Sequence, residues 1–342
     1  MQKTLPQSDN KEKKQLKLAA LIIAAVSSFL SPFMSSSINV ALPDIEHSFP
    51  MDAVMLGWIA TSYILAAAVF LVPFGRLADI FGRKKLFTIG IILYTISSAL
   101  CALSFSVNSL IVFRVLQGIG SALMFSTGTA ILSSVYPPGE RGKAFGIAVT
   151  STYLGLSLGP FLGGILTKHI GWQSIFWLNI PLGILLISLV FTLLKGEWAE
   201  AKGEKFDIFG SLILSISLIA LISGMSSLPG YQGAGLIIAS VLGLVLFYFW
   251  QVRISYPLLD IQLFSKNRVF ASSVLGTMRL TGQMFSMGIA MLVFAIFIGR
   301  VKITSSEHLQ LGDSMRIIFI IFAVLCALGV LASLSRGKVK HA

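Results

Sequence analysis

Charge is scarce in this chain. Only 12% of its 342 residues are Asp, Glu, Lys or Arg, about half the roughly 25% of a soluble globular domain. The 14 acids avoid the middle of the apolar runs. Cysteine is nearly absent: Cys101 and Cys326 both fall in apolar stretches, which argues against a disulfide framework and for small apolar fillers. The four histidines, His47, His169, His308 and His341, are scattered at or beyond the ends of those stretches. They offer neither metal-ligand spacing nor a nucleophile–base pair. No Gly-x4-Gly-Lys-Ser/Thr loop occurs, which argues against an ATP-driven pump. These absences leave no catalytic residue, metal site or cofactor to assign, and the chain reads as a non-enzyme.

What the chain has instead is hydrophobic length. It is 55% hydrophobic, with a mean hydropathy of +0.86. A spanning helix needs about 20 apolar residues. Ten candidate spans are predicted, over 18–42, 54–74, 86–106, 109–134, 143–167, 175–195, 207–226, 233–252, 269–299 and 315–335. The predicted class is an all-α integral membrane bundle. The first apolar run is too long for a cleaved leader and reads as a retained helix.

The net charge of +12 is explained by its placement. With both termini on the cytoplasmic side, most Lys and Arg fall on cytoplasmic segments. Lys168, Arg300, Lys302 and Arg316 are the exceptions, on the outer side. This is the positive-inside bias. No aromatic–basic platform supports a nucleic-acid partner, so the partner of the surface is the lipid bilayer.

The organisation follows. A basic N-terminus (1–17) precedes a six-helix bundle (18–195). A Lys- and Glu-rich stretch (196–206) reads as a solvated cytoplasmic linker. Two extra helices (207–252), a cytoplasmic loop (253–268) and a C-terminal part (269–342) with two helices and a basic tail complete the chain.

Three constellations interrupt the apolar pattern. The first is Gly75-Arg-Leu-Ala-Asp-Ile-Phe-Gly-Arg-Lys-Lys85, a tight turn between two spans. Gly75 and Gly82 relieve crowding where backbones turn or approach. Asp79 and Arg83, spaced i,i+4, can pair on one helical face; Asp79 can also cap a neighbouring helix N-terminus. Such contacts latch one conformation of a rocking bundle, while Lys84 and Lys85 serve equally as topogenic charge.

The second is Arg114, Gln117, Gly118 and Ser121, which share a helical face. An Arg within a span marks a functional site, or else it snorkels to the outer interface. The third is Ser151, Gly155, Gly159 and Gly163 at i+4 intervals, with Pro160 and Gly164 beside them. Such a stripe lets membrane helices approach closely, and Pro160 can kink its helix. Asn39, Trp58 and Tyr63 are candidate substrate-lining residues. The two aromatics can stack on flat or cationic compounds, or serve as interfacial or packing residues.

The first constellation resembles the loop motif of the major facilitator superfamily of secondary transporters at every position: Gly75, Leu77, Ala78, Asp79, Gly82, Arg83 and Lys84. The second is similar to that family's Arg motif, which implies a part for Arg114 in proton coupling. The third looks like the motif of the antiporter branch, with Gly159-Pro160 and Gly163-Gly164 at the family spacing. Asn39-Val-Ala-Leu-Pro43, Gly171 to Gly183, Pro257-Leu-Leu-Asp260 and Leu263-Phe264 narrow the resemblance to the fourteen-helix drug:proton antiporters (EmrB/QacA-like). The resemblance implies efflux of small amphipathic or cationic compounds by alternating access. It also implies protons as a coupling partner, a plasma (inner) membrane location and no cofactor.

Two positions depart from that group. Met34 stands where an embedded acid is common. The predicted ninth span, 269–299, would be about 46 Å long as a helix and carries Arg279. Ser273 to Gln283 resembles the start of the family's thirteenth helix. About four helices are therefore expected to be absent between Ala271 and Ser273, leaving a shortened second half. The alternative expectation is a shortened, transport-inactive member of the same family.

Overall fold

The computed structural model describes residues 7–51, 53–228, 230–259 and 308–334, with isolated positions between 282 and 296. The predicted ninth span, Arg279 and the 271–273 junction lie outside the described residues, apart from those isolated positions. Every regular element described is an α-helix. In order these are α1 (Gln7–Ser48), α2 (Ala53–Phe81), α3 (Arg83–Ala102), α4 (Val107–Val135) and α5 (Pro138–Ile170). They continue with α6 (Ser174–Trp177), α7 (Asn179–Thr192), α8 (Ile208–Ser226), α9 (Tyr231–Arg253) and α10 (His308–Leu334).

Eight helices among the described residues are long and apolar enough to cross a membrane, with α6 and α7 counting as one span over Ser174–Thr192. They correspond to the first eight predicted spans. The tenth is represented by α10, whose apolar part, Arg316–Leu331, is shorter. Helices are the solution that lipid imposes, because an unpaired backbone N–H or C=O costs several kcal/mol there. The hydroxyls in the spans obey the same rule. Ser37 donates to the Phe33 carbonyl, Ser98 to Tyr94 and Thr152 to Ala148, each one turn back.

Local sequence sets the helix ends. Ser106 and Ser109 form a reciprocal capping box at the start of α4. Pro138 sits in the first turn of α5, where a missing N–H costs nothing. The helix α1 has 42 residues, about 63 Å, so it projects well beyond the predicted 18–42 span. It runs through Pro32 and Pro43, as α5 runs through Pro160.

The helices pack α1 on α5, α3 on α4, α2 on α4 and α8 on α9, with α8 also against α2. One buried cluster gathers Tyr63, Phe87, Tyr94, Met124 and Leu186; a second, around Met34, Ile59, Cys101 and Phe176, occupies the α1 C-terminal half of the bundle. The α8–α9 pair joins through a smaller cluster of Leu214, Phe247 and Leu258 against Val72 of α2. Both cysteines are free, Cys101 buried and Cys326 exposed.

The 196–206 segment is solvated along much of its length and also docked. Ala201 is buried, Trp198 packs on the main core, and Glu197, Glu200 and Glu204 meet the 75–85 turn.

Candidate functional site

The turn and the fourth helix each hold a buried arginine. In the turn, Gly82 links α2 to α3 with φ +115°, a backbone that L side chains rarely adopt. This places Arg83 at the start of α3, only 6% exposed. Its guanidinium takes the Asp79 carboxylate through Nε and Nη2, both at 2.8 Å from Oδ1. Its Nη1 reaches the Ser134 hydroxyl at 2.6 Å, the Ala130 carbonyl at 3.3 Å and Glu200 Oε1 at 2.7 Å. The i,i+4 pair therefore forms and also ties the turn to the end of α4.

Among the described residues Asp79 caps no helix, although its charge would suit it to do so. Its Oδ1 is engaged by Arg83 on the same face. The α3 N-terminus is capped by Glu197, which accepts from Lys84 N at 2.8 Å and Lys85 N at 3.0 Å. Lys84 Nζ donates to the Leu194 carbonyl. Gly75 is not crowded: an added Cβ would lie 3.7 Å from Ser126 Cβ, an ordinary contact.

Arg114 lies inside the bundle with no exposed surface, which rules out snorkelling in this conformation. Its Nε donates to the Ile59 carbonyl of α2 at 3.2 Å and its Nη1 to Gln117 Oε1 at 2.8 Å. The guanidinium carbon sits 4.3 Å from the Tyr63 ring centroid, with Phe176 at 6.0 Å. That stacking spreads the charge over a ring face. Among the described residues Nη2 has no hydrogen-bond partner, and no carboxylate pairs with Arg114.

Hydroxyls and amides continue the network. Gln117 Nε2 donates to Ser98 at 2.8 Å. The Tyr63 hydroxyl meets Ser31 at 2.8 Å and Ser121 at 2.9 Å, and Ser31 meets Ser121 at 2.6 Å. On the other side Tyr94 donates to Asn179 Oδ1 at 3.1 Å, and Asn179 Nδ2 lies 3.3 Å from the Met34 sulfur. Met34 is fully buried. Thus α1, α2, α3, α4 and α7 meet around a polar core that, among the described residues, holds one positive charge and no negative one.

The remaining predicted residues divide. Gly118 lets α4 press on α2; an added Cβ there would fall 2.4 Å from the Tyr63 carbonyl oxygen. Gly155, Gly159 and Gly163 do the same for α5 on α1, where a Cβ would meet Phe29 O at 2.5 Å, Ser36 Oγ at 1.9 Å and Ser37 Cβ at 2.7 Å. Gly164 has room, with Val40 Cγ1 at 3.5 Å, and Pro160 is exposed. Tyr63 belongs to the bundle interior, Trp58 is half-buried, and Asn39 is exposed and bonds back to the Ser35 carbonyl. Sequence reasoning missed Ser31, Ser98 and Tyr94, which carry no signal that separates them from other span residues. It also missed the function of Glu197, Glu200 and Glu204. Their acidic run opposite a basic turn was the available signal.

Known proteins resemble this chain along most of its length. A family model described as Major Facilitator Superfamily matches residues 24–339. The riboflavin transporter RibZ of Clostridioides difficile is 31% identical over 76% of this chain and 57% of its own length. The multidrug resistance protein Stp of Mycobacterium tuberculosis (strain CDC 1551 / Oshkosh) is 33% identical over 72% of this chain and 47% of its own. The uncharacterized MFS-type transporter YvkA of Bacillus subtilis is 30% identical over 92% of this chain and 74% of its own. The chain thus spans about half the length of the first two. The family model, matched along nearly the whole sequence, together with the bundle of apolar helices, makes this integral membrane protein a member of the major facilitator superfamily.

Proposed function

We propose that this chain is a secondary-active exporter of small amphipathic or cationic compounds, working by alternating access and exchanging its cargo for protons. In this reading it sits in the plasma membrane with both termini in the cytoplasm, as the distribution of Lys and Arg favours. The observation that carries the reading is Arg114. A charged side chain at zero exposure inside a span is costly and is retained where it serves a path for ions or substrate. The polar core around it joins five helices, so a change in its hydrogen bonds is felt by the whole bundle. The names of the relatives, a riboflavin transporter and a multidrug resistance protein, support flat or amphipathic cargo.

One observation favours a second reading, a family member that does not transport. Met34 and Asn179 occupy the side of the network where a titratable acid would face the bundle interior. A proton carrier needs a group whose pKa the site can tune.

Reconstitution in proteoliposomes separates the two. An imposed pH gradient should drive ethidium movement by the full chain and not by Arg114→Met. Monodisperse, helical protein that moves no dye under any gradient overturns the exporter reading in favour of the second. Dye movement driven by membrane potential but not by ΔpH retains export and rejects proton exchange.

A further inference from the structure

The segment between α7 and α8 makes more contacts with the turn than a connection requires. Glu197 spans the two free amides at the start of α3, Lys84 N at 2.8 Å and Lys85 N at 3.0 Å. The preceding Gly82 has no side chain with which to cap them. Two main-chain bonds run in opposite directions beside it, Arg83 N to the Trp198 carbonyl at 2.8 Å and Ala201 N to the Asp79 carbonyl at 2.9 Å. Glu200 pairs with Arg83 at 2.7 Å, and Glu204 pairs with Arg76. Three acids of one short segment thus each meet a different part of the turn.

The far end of the segment is fixed as firmly. Phe206 joins the apolar cluster between α2, α8 and α9. Asp207, only 5% exposed, caps α8 through Gly210 N at 2.8 Å. It also accepts from Trp250 Nε1 at 3.1 Å and Gln251 Nε2 at 2.7 Å on α9.

We infer that residues 195–205 form an acidic strap that fastens the α2–α3 turn to the α8–α9 pair, so that this pair moves with the six-helix bundle as one body. A carboxylate on free helix N–H groups makes charge-assisted bonds and meets the favourable end of the helix dipole. Glu197 therefore supplies a cap that the chain lacks locally. Gly82 gains a second reason to be glycine. A Cβ there would lie 2.6 Å from Glu197 Cδ, so any side chain displaces the cap as well as straining the turn. Among the described helices the bundle and the pair touch chiefly along α2 and α8, and the strap adds a second connection that restrains hinging about the first.

Hydrogen exchange read by mass spectrometry on the full chain in lipid nanodiscs tests this. In the unmodified protein the amides of Arg83, Lys84, Lys85 and Ala201 should be protected and should open together. The triple variant Glu197→Gln, Glu200→Gln, Glu204→Gln should speed exchange on the order of tenfold in peptides covering 83–88, 198–204 and 207–212 alike. Peptides from the α4–α5 core should not change. Faster exchange confined to 198–204, or none at all, overturns the strap. Charge reversal guards against misfolding: Arg76→Glu and Glu204→Arg should each loosen all three peptides, and the double variant should restore protection. A double variant as loose as either single one rejects the ionic basis of the fastening.

Discussion

Arg83 and Arg114 are the same side chain, both removed from water, in two different surroundings. Arg83 is met by the carboxylates of Asp79 and Glu200, a hydroxyl and a carbonyl. Arg114 is met by a carbonyl, an amide oxygen and an aromatic face, with Nη2 left over. Breaking an ion pair in the interior strands the remaining charge, whereas a charge without a counter-ion leaves nothing stranded when it is removed. The turn is therefore built for holding, and the mid-bundle arginine is kept at a cost that its stability role does not justify. In the proposed reading, that difference separates the part of the molecule that fixes a conformation from the part that has to respond.

Four changes can break or sharpen the contrast. The largest effect is expected from Gly118→Leu, which drives a side chain into the α2 backbone at Tyr63 and Ala67. It should cost about 3 kcal/mol, the upper end for overpacking, measured by denaturant unfolding in detergent. It would disrupt the Arg114 site without touching a charge.

Arg83→Met comes next, at about 2 kcal/mol. Asp79 and Glu200 would lose their shared cation but keep some water, so the loss falls short of a fully buried pair. An unchanged unfolding midpoint would show that the turn does not hold the bundle.

Arg114→Met should shift stability by no more than about 1 kcal/mol in either direction, since the bonds lost by Gln117 and the Ile59 carbonyl are offset by removal of a buried charge that has no carboxylate beside it. Gradient-driven dye movement should nevertheless disappear. A destabilisation as large as that of Arg83→Met would erase the contrast.

The smallest effect is expected at Lys17–Glu140, an ion pair at 2.8 Å with Glu140 half exposed. Glu140→Gln should cost less than about 0.5 kcal/mol, and 0.5 M salt should remove the difference. This solvated pair sets the scale against which the two buried arginines are judged.

Much of the bundle was legible in the residues because lipid leaves so few alternatives. An apolar run of span length has to be a helix there, so the first eight spans could be read from hydropathy alone. The i,i+4 spacing of Asp79 and Arg83 was equally local. The role of Arg114 was half legible: its face with Gln117 and Gly118 followed from period, but its burial did not. A guanidinium near the end of an apolar run can point outward or inward, and Ile59, Tyr63 and Phe176 of other helices decide which.

Sequence by itself determined the class, the helical segments, the charge bias and the glycine positions, all properties that each stretch of chain owns. The tertiary structure alone decided that Glu197, rather than Asp79, caps α3, that the 196–206 segment is docked, and that Ser31, Tyr63 and Ser121 meet. Those contacts join residues far apart in the chain. Their partners are selected by how the helices pack, which no single segment encodes.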